Sequence, residues 1–177
     1  MTHYQLWVFL HVASVIVWLG AGTTLVLATL YAQRAADYPA EAVTGFAGWL
    51  GPRVFAPSSR AALGFGIVAV RSGHWGSPLW VRLGIGAFAV SFLLNVAVRV
   101  PLLVRARRGG TAAGAAARLL RSLALVDLTV LYLTVADMVA KPTGADSGAL
   151  SVGGAILAVA VLAATVLATI GRHPEPA

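Results

Sequence analysis

Long apolar stretches alternate along the chain with short polar segments. A segment of about 20 apolar residues is long enough to cross the hydrocarbon layer of a bilayer, and a helix satisfies its own backbone hydrogen bonds there. Five segments of this kind are present, at residues 5–31, 48–70, 79–104, 118–140 and 150–170. The pattern predicts an all-α fold, a polytopic membrane helical bundle with five transmembrane helices that form a four-helix core plus a C-terminal helix.

The second apolar segment is interrupted by prolines and arginines. Pro52 and Pro57 have no backbone N–H to donate, and Arg53 and Arg60 lie in the same stretch. We therefore expect this segment to begin irregularly and to become a regular helix after Pro57.

The composition indicates a membrane protein rather than a soluble domain. Hydrophobic residues make up 59% of the chain and charged residues 11%, against about a quarter charged in soluble domains. We expect a single integral membrane domain over residues 1–177 whose main partner is the lipid bilayer. Because the chain has no cysteine, disulfides, thiolate metal sites and cysteine nucleophiles are excluded.

The positive charge, +7 in total, is concentrated at the ends of the apolar segments. The densest cluster lies between the third and fourth segments, at Arg105, Arg107, Arg108, Arg118 and Arg121. The positive-inside rule makes this loop cytoplasmic, so we expect a multi-pass protein of the cell membrane with its N-terminus outside and its C-terminus in the cytoplasm. Charge at span ends touches anionic lipid, so we expect no nucleic-acid binding.

One histidine, His11, lies inside the first apolar segment. Trp18 and Gly22 fall within about 20° of it on a helix that turns about 100° per residue, so the three share one stripe. It follows Gln5 by about 9 Å along the helix, in the outer half of the membrane. Neutral imidazole is a common ligand and titrates near physiological pH. His11 is therefore a candidate haem ligand, metal ligand or proton relay; the alternative is a ring that only bonds a neighbouring helix.

Arg60 and Asp127 are a candidate pair of opposite charges at membrane depth. Counted from the cytoplasmic ends, each lies about ten residues into its span, close to the midplane. A salt bridge would relieve the cost of both charges. It could simply fix the helix register, or Asp127 could carry a proton or an ion.

The third segment carries a polar stripe of three residues at helical spacing, Ser91, Asn95 and Arg99. We expect Ser91 and Asn95 to form hydrogen bonds between helices. Arg99 lies near the cytoplasmic end, where its long side chain can reach the lipid headgroups.

The outer end of the fourth segment holds further candidate ligands. Asp137 and Lys141 lie four residues apart, the spacing of an ion pair on a helix, and a proline follows. Asp137 and Met138 are expected at the level of His11, as is His74 in an outer loop. Imidazole and thioether groups together suit copper, so these residues form a candidate metal set.

Two short stretches carry a resemblance to known families. In "LHVASVIVWLGAG" Trp18 lies seven positions after His11, and this spacing resembles the first helix of the copper resistance protein D group. The closest likeness is to an uncharacterised bacterial integral-membrane family, a domain of unknown function related to that group; the stretch "MVAKP", 138–142, is similar to the end of its fourth helix. The resemblance implies that the first four helices form the shared bundle, that helix 150–170 is an addition, and that His11 binds haem b or copper.

The same spacing more distantly resembles the haem-associated membrane protoporphyrinogen oxidases. In that family the first helix continues into a proline-arginine segment, whereas "TTLVLATLYAQRAAD" here has no proline and places Arg34 at the far end. This resemblance implies a redox enzyme with haem at His11 and Arg60 steering an acidic porphyrin. A haem held by two histidines would need His74 or the His11 of a second chain, so a homodimer or another membrane subunit is an implied partner.

Three functions remain open from the sequence. The first is a membrane protein that binds haem b or copper through His11; the second is a structural or accessory membrane subunit with no cofactor. The third is a redox enzyme of the protoporphyrinogen oxidase type, so the sequence leaves open whether the chain is an enzyme. Serine hydrolysis and ATP-driven transport are disfavoured, because the stretch "PSSR" has no paired base and no phosphate-binding glycine loop is present.

Overall fold

The computed structural model describes residues 2–34, 40–107 and 111–169. Within these ranges every regular element is a helix, so the all-α prediction is confirmed. The helices are α1 (His3–Arg34), α2 (Ala40–Leu50), α3 (Ala56–Ser72), α4 (Leu79–Leu93), α5 (Val100–Arg107), α6 (Thr111–Ala140) and α7 (Ser147–Thr169).

Two π-helical segments join four of these helices into two longer rods. Gly51–Phe55 connects α2 to α3, and Leu94–Arg99 connects α4 to α5. Each segment ends two residues before a proline, Pro57 or Pro101. A proline has no N–H, and its ring collides with the carbonyl four residues earlier, so a wider turn before it relieves the helix. The irregular start expected for the second apolar segment is thus a π-helical stretch, and regular helix begins at Ala56.

In the part of the chain that the structure describes, three helical stretches are long and apolar enough to cross a membrane. They are His3–Ala32, Leu79–Arg105 and Leu119–Ala140, of 30, 27 and 22 residues. A shorter apolar stretch, Gly153–Thr165, lies within α7. Many large apolar side chains on these helices are exposed, which is the surface expected when lipid replaces water as the solvent. These helices indicate a protein inserted in a membrane.

The first compact unit, Met1–Pro78, is built on the contact between α1 and α3. At one end the indole N–H of Trp75 donates to the hydroxyl of Tyr4, with 3.2 Å between the two atoms. One turn further along α1, the ring of Trp7 stacks on that of Phe65 at a centroid distance of 5.9 Å. The start of α1 and the end of α3 therefore lie at the same end of this unit, and the two helices run antiparallel.

The second compact unit, Leu79–Ala177, is organised around α6, which packs against α4, α5 and α7. Small residues lie buried on the helices that α6 contacts, including Gly84 in α4 and Ala164 in α7. Small side chains let helices approach closely, which is how helices pack where lipid is as apolar as the side chains. The single domain over residues 1–177 stays a prediction.

Candidate functional site

His11 lies in the contact between α1 and α3, about one helical turn beyond Trp7. Its Nδ1 atom is 2.7 Å from the carbonyl oxygen of Ala62. Because a carbonyl oxygen can only accept, Nδ1 carries the proton in this bond. The neutral ring then has its free lone pair on Nε2.

Gly66 provides the space that the His11 ring occupies. A β-carbon on Gly66 would lie 2.9 Å from Nδ1 and 3.0 Å from Cε1 of His11, closer than real side chains approach. Gly66 follows Ala62 by one helical turn, so the carbonyl that accepts from the ring and the gap that admits the ring adjoin on α3. Gly64, two residues earlier, has nothing within 4 Å of an added β-carbon.

The hydrogen bond of His11 meets one requirement for a metal or haem ligand. A liganding imidazole donates its other ring N–H to a carbonyl or carboxylate, which fixes its tautomer and orientation. The carbonyl oxygen of Ala62 supplies that acceptor. The same bond is also what a purely structural histidine would make, so the geometry fits both interpretations of His11.

Trp18 is buried in the first unit, with 8% of its surface exposed. Ala21 and Val26 are the other buried hydrophobic residues of α1, and they follow Trp18 at spacings that keep them on one side of a helix. The stripe predicted from His11 and Trp18 therefore corresponds to the side of α1 that faces the protein.

Met138 and His74 are further candidate metal ligands from the sequence. Met138 packs on α4, with its methyl carbon 3.3 Å from where a β-carbon on Gly84 would lie. His74 is exposed with a φ of 54°, two residues after α3 ends. His11 contacts α3 at Gly66, about 9 Å before that end. No group of three or more His, Cys, Asp or Glu side chains that could hold a metal is present among the residues that the structure describes.

Asp137 has a buried carboxylate without a hydrogen-bond partner on either oxygen, within the described ranges. The ion pair expected between Asp137 and Lys141 is wrong. The ammonium group of Lys141 lies over the ring of Trp80, 5.6 Å from its centroid. Lys141 has a φ of 48°, so the helix ends before it and the side-chain spacing of an i, i+4 pair is lost.

Asp127 is the centre of a polar network in the second unit. One carboxylate oxygen accepts from the hydroxyl of Ser91 at 2.5 Å, and the other accepts from Nη1 of Arg99 at 2.7 Å. Ser91 and Asp127 are only 1% and 4% exposed, and the side chain of Arg99 is 14% exposed. The network joins the rod of α4 and α5 to α6 by a salt bridge and a hydrogen bond.

Asn95 contributes to this network from within its own rod. Its Nδ2 donates to the carbonyl of Ser91 at 3.0 Å, and its Oδ1 accepts from Nη1 of Arg99 at 3.2 Å. The stripe of Ser91, Asn95 and Arg99 is therefore continuous, and Ser91 bonds across helices as expected. Asn95 instead bonds along the rod, and Arg99 turns to Asp127 rather than to the headgroups, because an unpaired buried carboxylate is costly.

The cationic partner of Asp127 differs from the one that the sequence suggested. Arg60, the expected partner, is exposed and makes no hydrogen bond or ion pair with the described residues. The sequence suggested Arg60 only because it lies at a depth in the membrane similar to that of Asp127, and several arginines share similar depths. The sequence did contain a signal for the pairing of Arg99 with Asp127. Arg99 follows Ser91 and Asn95 at four-residue spacing, so a cation lies on the polar stripe of the third segment.

Comparison with protein-family models found no match, and comparisons with curated proteins and with solved structures found no significant similarity. The class of the protein therefore follows from its fold: it is an all-helical membrane protein with an interhelical histidine in one unit and a buried arginine–carboxylate network in the other.

Proposed function

We propose that this chain is a multi-pass membrane protein that binds haem b or copper through His11. The observation that carries the proposal is the 2.7 Å bond from Nδ1 to the Ala62 carbonyl, which leaves Nε2 as the coordinating atom. The bound group would supply one-electron chemistry, and the chain would hold and orient the imidazole. Because the described residues bring no group of three or more His, Cys, Asp or Glu ligands together, the remaining ligands would come from a second copy of the chain or another membrane subunit.

The proposal includes kinship with the copper resistance D-like membrane family and five spans in a bacterial inner membrane. The five spans are supported by α1, the two rods, α6 and α7, each of which overlaps one of the five apolar segments. The hydrogen bond between Tyr4 and Trp75 supports placing the N-terminus and the loop after α3 on one side. The arginine cluster around the junction of α5 and α6 favours the cytoplasm for its own side of the membrane.

The test is an absorption spectrum and a metal analysis of the purified protein. We expect a Soret band or bound copper in the wild type that is lost in His11→Ala. His3→Ala is the matched control, because His3 is an exposed imidazole on the same helix, and it should retain the signal. A colourless, metal-free wild type, purified under conditions that retain cofactors, would contradict the proposal.

A structural or accessory subunit is the second candidate, favoured by the same bond to Ala62. In that case His11→Ala removes only one interhelical hydrogen bond, worth about 1 kcal/mol. The same measurements distinguish the two candidate functions. The accessory role predicts a modest loss of thermal stability in His11→Ala, with identical spectra and metal contents for the wild type and the variant.

A further inference from the structure

The rod that contains α2 and α3 is longer than the hydrocarbon layer of a membrane is thick. It consists of α2, the π-helical segment and α3, with 11, 5 and 17 residues. Such a rod is about 50 Å long, against about 30 Å for the hydrocarbon layer. Because α3 packs along α1, a candidate span, α3 lies at membrane depth.

The aromatic pair at the end of the rod sets its position along the membrane normal. Trp75, which follows α3, is bonded to Tyr4 at the start of α1, and tryptophan and tyrosine collect at the membrane surface. With that end at one surface, about 20 residues of the rod cross the hydrocarbon. The opposite boundary then falls close to Gly51–Phe55, and α2 projects beyond it.

A cationic and aromatic cluster occupies this boundary. The rings of Phe46 and Trp49 stack with their centroids 6.4 Å apart, and the guanidinium of Arg53 lies 5.6 Å from the centroid of the Trp49 ring. Trp49 is 50% exposed, and Arg53 is exposed too. Arg53 makes no hydrogen bond or ion pair with the described residues. Its N–H groups are therefore available to an acceptor outside the protein.

Arg60 lies seven residues further along the rod, about 10 Å deeper in the membrane. It is exposed on α3 and likewise has no hydrogen-bonding or ionic partner in the described part of the chain. An unpaired arginine at this depth is costly. Because side chains on a helix lean toward its N-terminus, the long side chain of Arg60 can reach back toward the level of Arg53.

We propose that Arg53 and Arg60 together bind the phosphate of an anionic phospholipid from the adjacent leaflet. The planar guanidinium fork matches phosphate oxygens and forms charge-assisted hydrogen bonds with them. Trp49 fixes the first guanidinium by its ring face, and the apolar surface of α3 beyond Arg60, including the exposed Ile67, accommodates the acyl chains. A phospholipid is the occupant because the site opens to the membrane, where an anion with apolar chains is the abundant partner. This inference is independent of the function proposed for His11.

The test measures thermal unfolding of the full chain in phosphatidylcholine nanodiscs with and without phosphatidylglycerol, and native mass spectrometry counts the retained lipids. A ligand that binds only the folded protein raises its Tm. We expect phosphatidylglycerol to raise the Tm of the wild type, and its apparent affinity to fall about tenfold for each of Arg53→Gln and Arg60→Gln. Arg82→Gln, which removes an exposed arginine of α4, is the matched control and should keep the full shift.

The same measurements separate a specific lipid site from unspecific attraction and from a site for a soluble anion. An equal Tm shift in the wild type and in the variant that carries both Arg53→Gln and Arg60→Gln would overturn the proposal. An equal loss in Arg82→Gln would overturn it too, because it would show unspecific attraction to net charge. Soluble glycerol phosphate is a further arm: if it raises the Tm as much as the lipid does, the site takes a soluble anion and the lipid assignment is wrong. The variants also report on folding, because in pure phosphatidylcholine Arg60→Gln should be at least as stable as the wild type.

Discussion

Small side chains decide where the polar groups of this protein can lie. Gly66 leaves the space for the ring of His11 beside the carbonyl of Ala62. Ser91 is small enough to be enclosed almost completely and still reaches Asp127. In both places a larger residue would separate two helices and break a bond between them. The sequence identified His11 as exceptional, but it did not reveal the backbone carbonyl that holds it.

Replacing Gly66 tests this arrangement directly. We expect Gly66→Ala to displace the ring of His11 and to lower the free energy of unfolding by about 1–3 kcal/mol, the usual cost of overpacking. Gly64→Ala is the control, since nothing lies within 4 Å of its β-carbon, and it should be neutral or stabilising by up to about 1 kcal/mol through helix propensity. Denaturant unfolding in detergent measures both, and equal effects would contradict the close contact.

At the scale of elements, prolines account for the interruptions in the two rods. The sequence predicts an irregular stretch before Pro57, where two prolines and two arginines stand together, and the structure has a π-helical segment there. It predicts one uninterrupted helix over residues 79–104 and gives no comparable warning at Pro101, where a single proline stands in a long, mainly apolar segment. The second π-helical segment, Leu94–Arg99, nevertheless carries both Asn95 and Arg99, so the wider turn lies where the polar network crosses to α6.

A double-mutant cycle tests the link between this rod and α6. Arg99→Met or Asp127→Leu alone leaves a buried charge without its partner, so each should cost about 3–5 kcal/mol. Together they replace an ion pair by apolar groups, and we expect the double variant to be close to the wild type. The measurement is denaturant unfolding of all four proteins. Simple addition of the two single costs would show that Arg99 and Asp127 do not act as a pair.

At the scale of the whole molecule, charge and helix direction together set the proposed topology. Within the first unit, the bond between Tyr4 and Trp75 ties the start of α1 to the end of α3. The arginine cluster around the junction of α5 and α6 marks the side that the positive-inside rule assigns to the cytoplasm. The N-terminus and the loop that holds His74 should therefore share the outer surface.

Cysteine labelling measures this arrangement without a background signal, because the chain has no cysteine of its own. Thr2→Cys and His74→Cys should react with a membrane-impermeant thiol reagent from outside the cell. Arg107→Cys should react only after the membrane is opened. Labelling of Thr2→Cys and His74→Cys from opposite sides would refute the antiparallel contact of α1 and α3; outside labelling of Arg107→Cys would refute the assignment of the arginine loop.

The sequence by itself determined that the chain is a helical membrane protein, the approximate positions of its apolar helices and the set of polar residues that needed a partner or a role. It could do so because lipid permits few backbone arrangements, and the length and apolarity of each segment are read directly along the chain. The tertiary structure alone decided the partners: Ala62 and Gly66 for His11, Arg99 for Asp127, and none in the described residues for the carboxylate of Asp137. Partners depend on the rotation and register of neighbouring helices, which many distant contacts set together and which no local pattern of residues records.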